Sequence, residues 1–110
     1  MDASKSVLVV DDEVAMCDLV RDFLGGAGFD VDVAHDGRQA LRKFRKLDYD
    51  VVLTDLRMPD MDGMALLQTI KEERPDTPVI LLTAFGTIDR AIEAMRAGAF
   101  HFVTKPFKIK

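Results

Sequence analysis

The sequence of 110 residues has no tryptophan, one tyrosine (Tyr49), one cysteine (Cys17) and two histidines, His35 and His101. A lone thiol excludes an internal disulfide and any multi-thiolate metal centre, so Cys17 reads as a small apolar residue on a helix. Long apolar runs are also missing. The stretch 79–82 is far too short to span a bilayer, and Met1-Asp2-Ala3-Ser4-Lys5 enters a strand-like segment without a signal-peptide pattern. A cytosolic protein with no membrane contact is the expectation. Excess positive charge is absent too. A net charge of −4 gives no reason to expect direct nucleic-acid binding by this domain, because a phosphate backbone wants a basic patch.

What is present is the composition of a folded domain, with 48% hydrophobic and 31% charged residues. The length suits one domain, residues 1–110. Apolar runs at 7–10, 31–34, 51–54, 79–83 and 100–104, mostly rich in β-branched residues, read as strands. Runs such as Val7-Leu8-Val9-Val10 lack polar alternation, which suits a parallel sheet covered on both faces. Helical spacing fills the gaps. Met16, Leu19, Val20, Phe23 and Leu24 form one stripe, stopped by Gly25-Gly26-Ala27-Gly28. Asp36 caps a second helix with Gln39 at N3 and a buried stripe of Ala40, Leu41, Phe44 and Leu47. A third carries Leu66, Leu67 and Ile70 and ends before Pro75. A fourth begins near Thr87, buries Ile88, Ala91, Ile92 and Met95, and stops at Gly98.

Strict alternation of strand and helix with short connections predicts an α/β, doubly wound, five-stranded parallel sheet of flavodoxin-like order 2-1-3-4-5. The sequence ends at Lys110, four residues after Pro106, so the fifth helix of such a fold is expected to be truncated. Sites in this architecture form outside the carboxyl ends of the strands, where the winding reverses. There the sequence places Asp11-Asp12-Glu13 after the first strand, Asp55 after the third, Thr83 ending the fourth and Lys105 after the fifth. Singly, each has an ordinary explanation: an acidic helix start, a loop aspartate, a strand-terminal β-branched residue, a solvated lysine. Their joint occurrence at one end of one sheet is not explained that way. Clustered carboxylates stay ionised when a cation sits among them, and oxygen-only ligands suit Mg²⁺ rather than zinc. Asp55, between the acidic pair and the remaining rim groups, is the best nucleophile for a phosphoryl group. Met58, Met61 and Met64 are read as packing groups, and His35 and His101 as surface or boundary residues.

The blocks Val7-Leu8-Val9-Val10-Asp11-Asp12-Glu13, Asp55-Leu56-Arg57-Met58-Pro59-Asp60-Met61-Asp62-Gly63, Leu82-Thr83-Ala84 and Lys105-Pro106-Phe107 resemble the signature blocks of response-regulator receiver domains. The stretches 84–87 and 94–99 further resemble receivers of the NtrC type, which usually precede an ATPase module and a DNA-binding module. The resemblance implies a sensor histidine kinase as phosphodonor, Asp55 as acceptor, and self-catalysed phosphorylation and dephosphorylation. It also implies Mg²⁺ held by Asp12, Asp55 and the Arg57 carbonyl, with Asp11 acting through water, and Lys105 on a phosphoryl oxygen. Thr83 and Phe102 would form the switch, Arg57 and Phe85 would tune the lifetime, and an output domain would follow in the full-length protein. A homodimer is a further expectation. Three rivals fit less well. A flavin carrier needs a phosphate loop where Asp11-Asp12-Glu13 would repel it, a phosphorylation-independent module would lack part of this set, and an aspartyl phosphatase spaces its acids differently.

Overall fold

A computed structural model describes residues 5–58, 61–83 and 88–104. Expectations that fall on Pro59, Phe85, Lys105, Pro106 and Phe107 lie outside the described residues, as do the side chains of Thr83, Ile88 and Ala91. The strands are β1 (Ser6–Val10), β2 (Asp30–Ala34), β3 (Val51–Asp55), β4 (Val79–Thr83) and β5 (His101–Thr104). They alternate with α1 (Val14–Gly26), α2 (Gly37–Lys46), α3 (Gly63–Glu73) and α4 (Ile88–Arg96). All neighbouring strands pair in parallel, in the order β2-β1-β3-β4-β5 expected from the sequence.

Parallel strands alternate faces, so the apolar runs divide into two cores. Leu8, Val10, Val52 and Leu81 point to one side, where α2, α3 and α4 bring Phe44, Leu66, Leu67, Ile70 and Ala94. Val7 and Val9 point to the other, against Cys17 and Val20 of α1. Cys17 is thus the buried apolar residue it was read to be, and Met58, Met61 and Met64 pack against the larger core. His101 is exposed and His35 half-buried.

Local chemistry explains the helix ends. Asp36 is extended, and its Oδ1 accepts the Gln39 N–H at 2.7 Å while Gln39 Oε1 accepts the His35 N–H at 2.7 Å. This satisfies two backbone donors as a capping box does, except that Gln39 takes the N–H of His35, one residue before the N-cap Asp36. At the other ends Gly28 and Gly98, with φ of 98° and 112°, adopt the left-handed turn that glycine alone takes without strain.

Four corrections concern helix faces and helix ends. On α1 the seam against the sheet runs through Cys17 and Val20, leaving Leu19 and Phe23 about half exposed. Leu19 and Phe23 belong to an adjoining stripe that periodicity alone could not separate from the buried one. Leu47 is exposed because α2 ends at Lys46 and the chain turns extended at Leu47. On α4 the small Ala94 faces the core, and the larger Ile92 and Met95 lie partly in solvent. Gly25 and Gly26 are the last helical residues of α1 rather than its stop, which falls at Gly28.

The single tyrosine offers a local probe. Tyr49 is buried, and its hydroxyl donates to Asp32 Oδ2 at 2.6 Å. Burial first, then the hydrogen bond to the Asp32 carboxylate, raises its pKa well above the ordinary value of 10.0. The folded state therefore binds this proton more tightly than the unfolded chain. Its contribution is full below about pH 10 and is lost as pH rises beyond. In an alkaline titration the tyrosinate absorbance is expected to appear only together with unfolding. Asp32→Ala should bring it back towards ordinary tyrosine behaviour. Ionisation of Tyr49 near pH 10 in a folded wild-type protein would refute this.

Candidate functional site

Register places the acids side by side. Val10 pairs with Thr54 across β1 and β3, so the residue following β1, Asp11, and the last residue of β3, Asp55, emerge together at the point where the winding reverses. One oxygen from each of Asp11, Asp12 and Asp55 lies within 4.8 Å of the others. Asp11 is fully buried, Asp55 nearly so at 8%, and Asp12 is exposed. The sequence named all three.

The backbone around them is fixed by bonds that local sequence does not announce. Asp11 continues the sheet by donating its N–H to the Ala34 carbonyl at 3.0 Å. Its own carbonyl meets Cys17 Sγ at 3.3 Å and His35 Nδ1 at 3.2 Å; a carbonyl only accepts, so that ring nitrogen carries its hydrogen. Asp11 Oδ1 accepts the Glu13 N–H at 2.9 Å, a tight turn that sets the position of Asp12. Glu13, the N-cap of α1, makes no side-chain cap bond, so capping does not account for the acidic run.

Asp55 is held from the far side. The Thr54 hydroxyl donates to the Asp55 carbonyl at 3.0 Å, and Leu56 N–H donates to Leu82 at 3.1 Å, extending the pairing one step past the acid. The chain then curls back, bringing the Arg57 N–H to 3.5 Å from Asp55 Oδ1. Arg57 itself is exposed. Asp62 caps α3 by accepting the Ala65 N–H at 2.9 Å, and Gly63 N–H donates to the Leu56 carbonyl at 2.9 Å. A Cβ on Gly63 would lie 2.3 Å from the Asp55 carbonyl oxygen, so only glycine lets the start of α3 pack on the end of β3. That role was missed in the sequence, although the Asp62-Gly63 pair stood in the quoted block.

Of the remaining rim positions, Thr83 ends β4 one residue beyond Leu82, the partner of Asp55, and Thr83 pairs with Thr104 of β5. Phe102 is half-buried against the main core. Lys105 follows Thr104 in the chain but lies outside the described residues.

Three carboxylates this close repel one another unless a cation or a proton is placed among them. The donors are all oxygen, two are buried and one opens to solvent, which fits a hard divalent ion that keeps part of its water. The arrangement is an acidic pocket able to bind a metal.

A five-stranded 2-1-3-4-5 sheet with buried acids at its winding reversal defines a class, and the chain belongs to the response regulator receiver domain family, whose model matches residues 7–110. It is 42% identical to the transcriptional regulatory protein ZraR of Escherichia coli over 100 residues, covering 91% of this chain and 23% of ZraR. The regulatory protein AtoC of Escherichia coli is 44% identical over 113 residues, 99% of this chain and 24% of AtoC. Among solved structures, a receiver domain protein from Clostridium thermocellum superposes with a TM-score of 0.91 at 38% identity, covering 94% of this chain and 84% of that one. NtrX from Brucella abortus gives 0.92 at 37% identity, covering 96% and 24% respectively. ZraR, AtoC and NtrX are NtrC-like regulators, the type that the sequence resembles. The chain thus spans about a quarter of the length of these curated relatives. Among the described residues no helix is long and apolar enough to cross a membrane.

Proposed function

We propose that the chain is a phosphorylation-dependent signalling switch that accepts a phosphoryl group at Asp55 and passes the change to an output module in the full-length protein. The observation that carries this reading is the meeting of Asp11, Asp12 and Asp55 within 4.8 Å at the winding reversal. In the forward step an Asp55 carboxylate oxygen attacks the phosphorus of a phosphohistidine on a sensor histidine kinase. The new P–O bond forms as the P–N bond breaks, and the electron pair returns to the imidazole. Such a transfer needs positioning and charge neutralisation more than proton chemistry. Asp12, Asp55 and the Arg57 carbonyl would hold Mg²⁺ directly and Asp11 through water; the bound ion supplies neutralisation of phosphoryl charge. The Asx turn at Asp11 and the glycine contact at Gly63 keep two of the acids in place without help from the ligand.

Lys105 would hold a phosphoryl oxygen. Thr83 would bond the phosphoryl group and Phe102 would turn inward behind it; the half-buried setting of Phe102 beside the core supports such a two-state side chain. The same pocket would catalyse its own later hydrolysis. A cytoplasmic location, a transcriptional output and dimerisation of the full-length protein complete the reading, supported by the regulators among its relatives.

The test is intact mass after incubation with Mg²⁺ and a small-molecule phosphodonor. Wild type is expected to gain one phosphoryl group and Asp55→Asn none. No gain by the wild type, or equal gain by the variant, would remove Asp55 from this role.

A further inference from the structure

Helix α2 carries charge of a sign opposite to that of the whole chain. Its sequence GRQALRKFRK has five basic residues and no acid, in a protein of net charge −4. Two of the five are committed within the fold. Lys43 Nζ donates to the Val33 carbonyl at 2.6 Å, and Arg45 pairs with Glu73 of α3 at 2.6 Å. The other three, Arg38, Arg42 and Lys46, are exposed, and none has an ion-pair partner among the described residues. Their i, i+4, i+8 spacing sets them in one row about 12 Å long.

Helix stability does not account for this row. Like charges four residues apart repel, and Arg38 stands in the first turn, at the positive end of the helix dipole. A neutral residue at 38 or 42 would suit the helix better.

At the Arg38 end the surface sinks into a hollow of about 130 Å³ lined by Asp36, Gly37, Arg38, Arg42 and Met61. Gly37 lies so close to the loop after β3 that a Cβ there would come within 2.8 Å of Met61 Cβ and Cγ. Met61 therefore gives the hollow an apolar wall. A cationic row ending in a partly apolar hollow has a matching shape in an acidic segment that carries one large apolar side chain.

We infer that the Arg38–Arg42–Lys46 face of α2 docks an acidic, amphipathic segment of a partner protein, with carboxylates along the row and an apolar side chain seated against Met61. A nucleic acid fits less well. Its long polyanion runs beyond the short row onto a domain of net negative charge, and it offers no aliphatic group for Met61.

Fluorescence anisotropy tests this without any phosphodonor, so its outcome is separate from the role of Asp55. The probes are a fluorescein-labelled helical peptide with glutamates at i, i+4 and i+8 and a leucine one turn beyond, its glutamine counterpart, and a labelled single-stranded oligonucleotide. The wild type is expected to bind the glutamate peptide at low salt at least about tenfold more tightly than the other two, a preference that shrinks as salt screens the row. The Arg38→Glu/Arg42→Glu variant should lose about tenfold or more of that affinity. Arg42→Gln, expected to raise the thermal midpoint by relieving repulsion, should lose part of it, with the thermal melt confirming that the variant is folded. Absence of glutamate-peptide binding, binding unchanged by these substitutions, or an oligonucleotide bound as tightly as the peptide would overturn the inference.

Discussion

Gly63→Ala is expected to destabilise the domain by about 3 kcal/mol and to abolish phosphoryl uptake at Asp55. The added carbon would stand 2.3 Å from the Asp55 carbonyl oxygen and 2.8 Å from Leu56 Cα, distances that no rotamer change can relieve because both neighbours are backbone. Either α3 lifts from the sheet, breaking the Gly63–Leu56 hydrogen bond of 2.9 Å, or the end of β3 moves and takes Asp55 with it. Both responses disturb the rim. The loss would be a large share of the roughly 5–15 kcal/mol by which a domain is stable. The slightly better helix propensity of alanine offsets little of it. Gly25→Ala is the control. Its Cβ would meet nothing within 4 Å and it sits in the last turn of α1, so that variant should be neutral or up to about 1 kcal/mol more stable. Urea unfolding of both proteins, with mass after phosphodonor treatment, separates the cases. A Gly63→Ala protein of wild-type stability would show that the backbone approach is not what glycine provides there.

This contrast marks what could be read from the sequence. Strands buried on both faces betray themselves as unbroken apolar runs, and the rim acids stand at or just past the ends of two of them, so Asp11, Asp12 and Asp55 could be placed together from topology alone. Helix caps were equally legible, because Asp36 and Gln39 act on their own immediate neighbours. Contacts between distant backbones were not. Nothing local says that Gly63 must clear the Asp55 carbonyl, or that the Cys17 thiol and the His35 ring both reach the Asp11 carbonyl. Faces were ambiguous where apolar residues outnumber what one sheet can cover. On α1 Leu19 and Phe23 satisfied the same spacing as the buried Val20, and only packing against Val7 and Val9 decides between adjoining stripes.

Phe44→Ala is expected to cost about 3–5 kcal/mol, the largest purely structural loss among these substitutions. Phe44 is wholly buried where α2 meets the sheet, in the core cluster with Leu8, Val52 and Ile70, so truncation leaves a cavity that rigid strands cannot fill. A second interaction rests on the same ring. The Arg74 guanidinium, at the C-cap of α3, lies 4.4 Å from its centroid, a cation–π contact of about 0.5–2 kcal/mol. Arg74 Nη1 also donates to the carbonyls of Phe44 and Leu47 at 2.7 and 3.0 Å. Those bonds need only the backbone carbonyls of Phe44 and Leu47, so the tie between the two helices should survive truncation of the ring. Phe44→Leu distinguishes volume from ring chemistry, since leucine keeps most of the core contact and removes the π face. It should cost no more than about 1.5 kcal/mol beyond the lost cation–π contact, clearly less than alanine. Equal losses for the two variants in urea unfolding would assign the stabilisation to the arginine–ring contact instead of to the filled core.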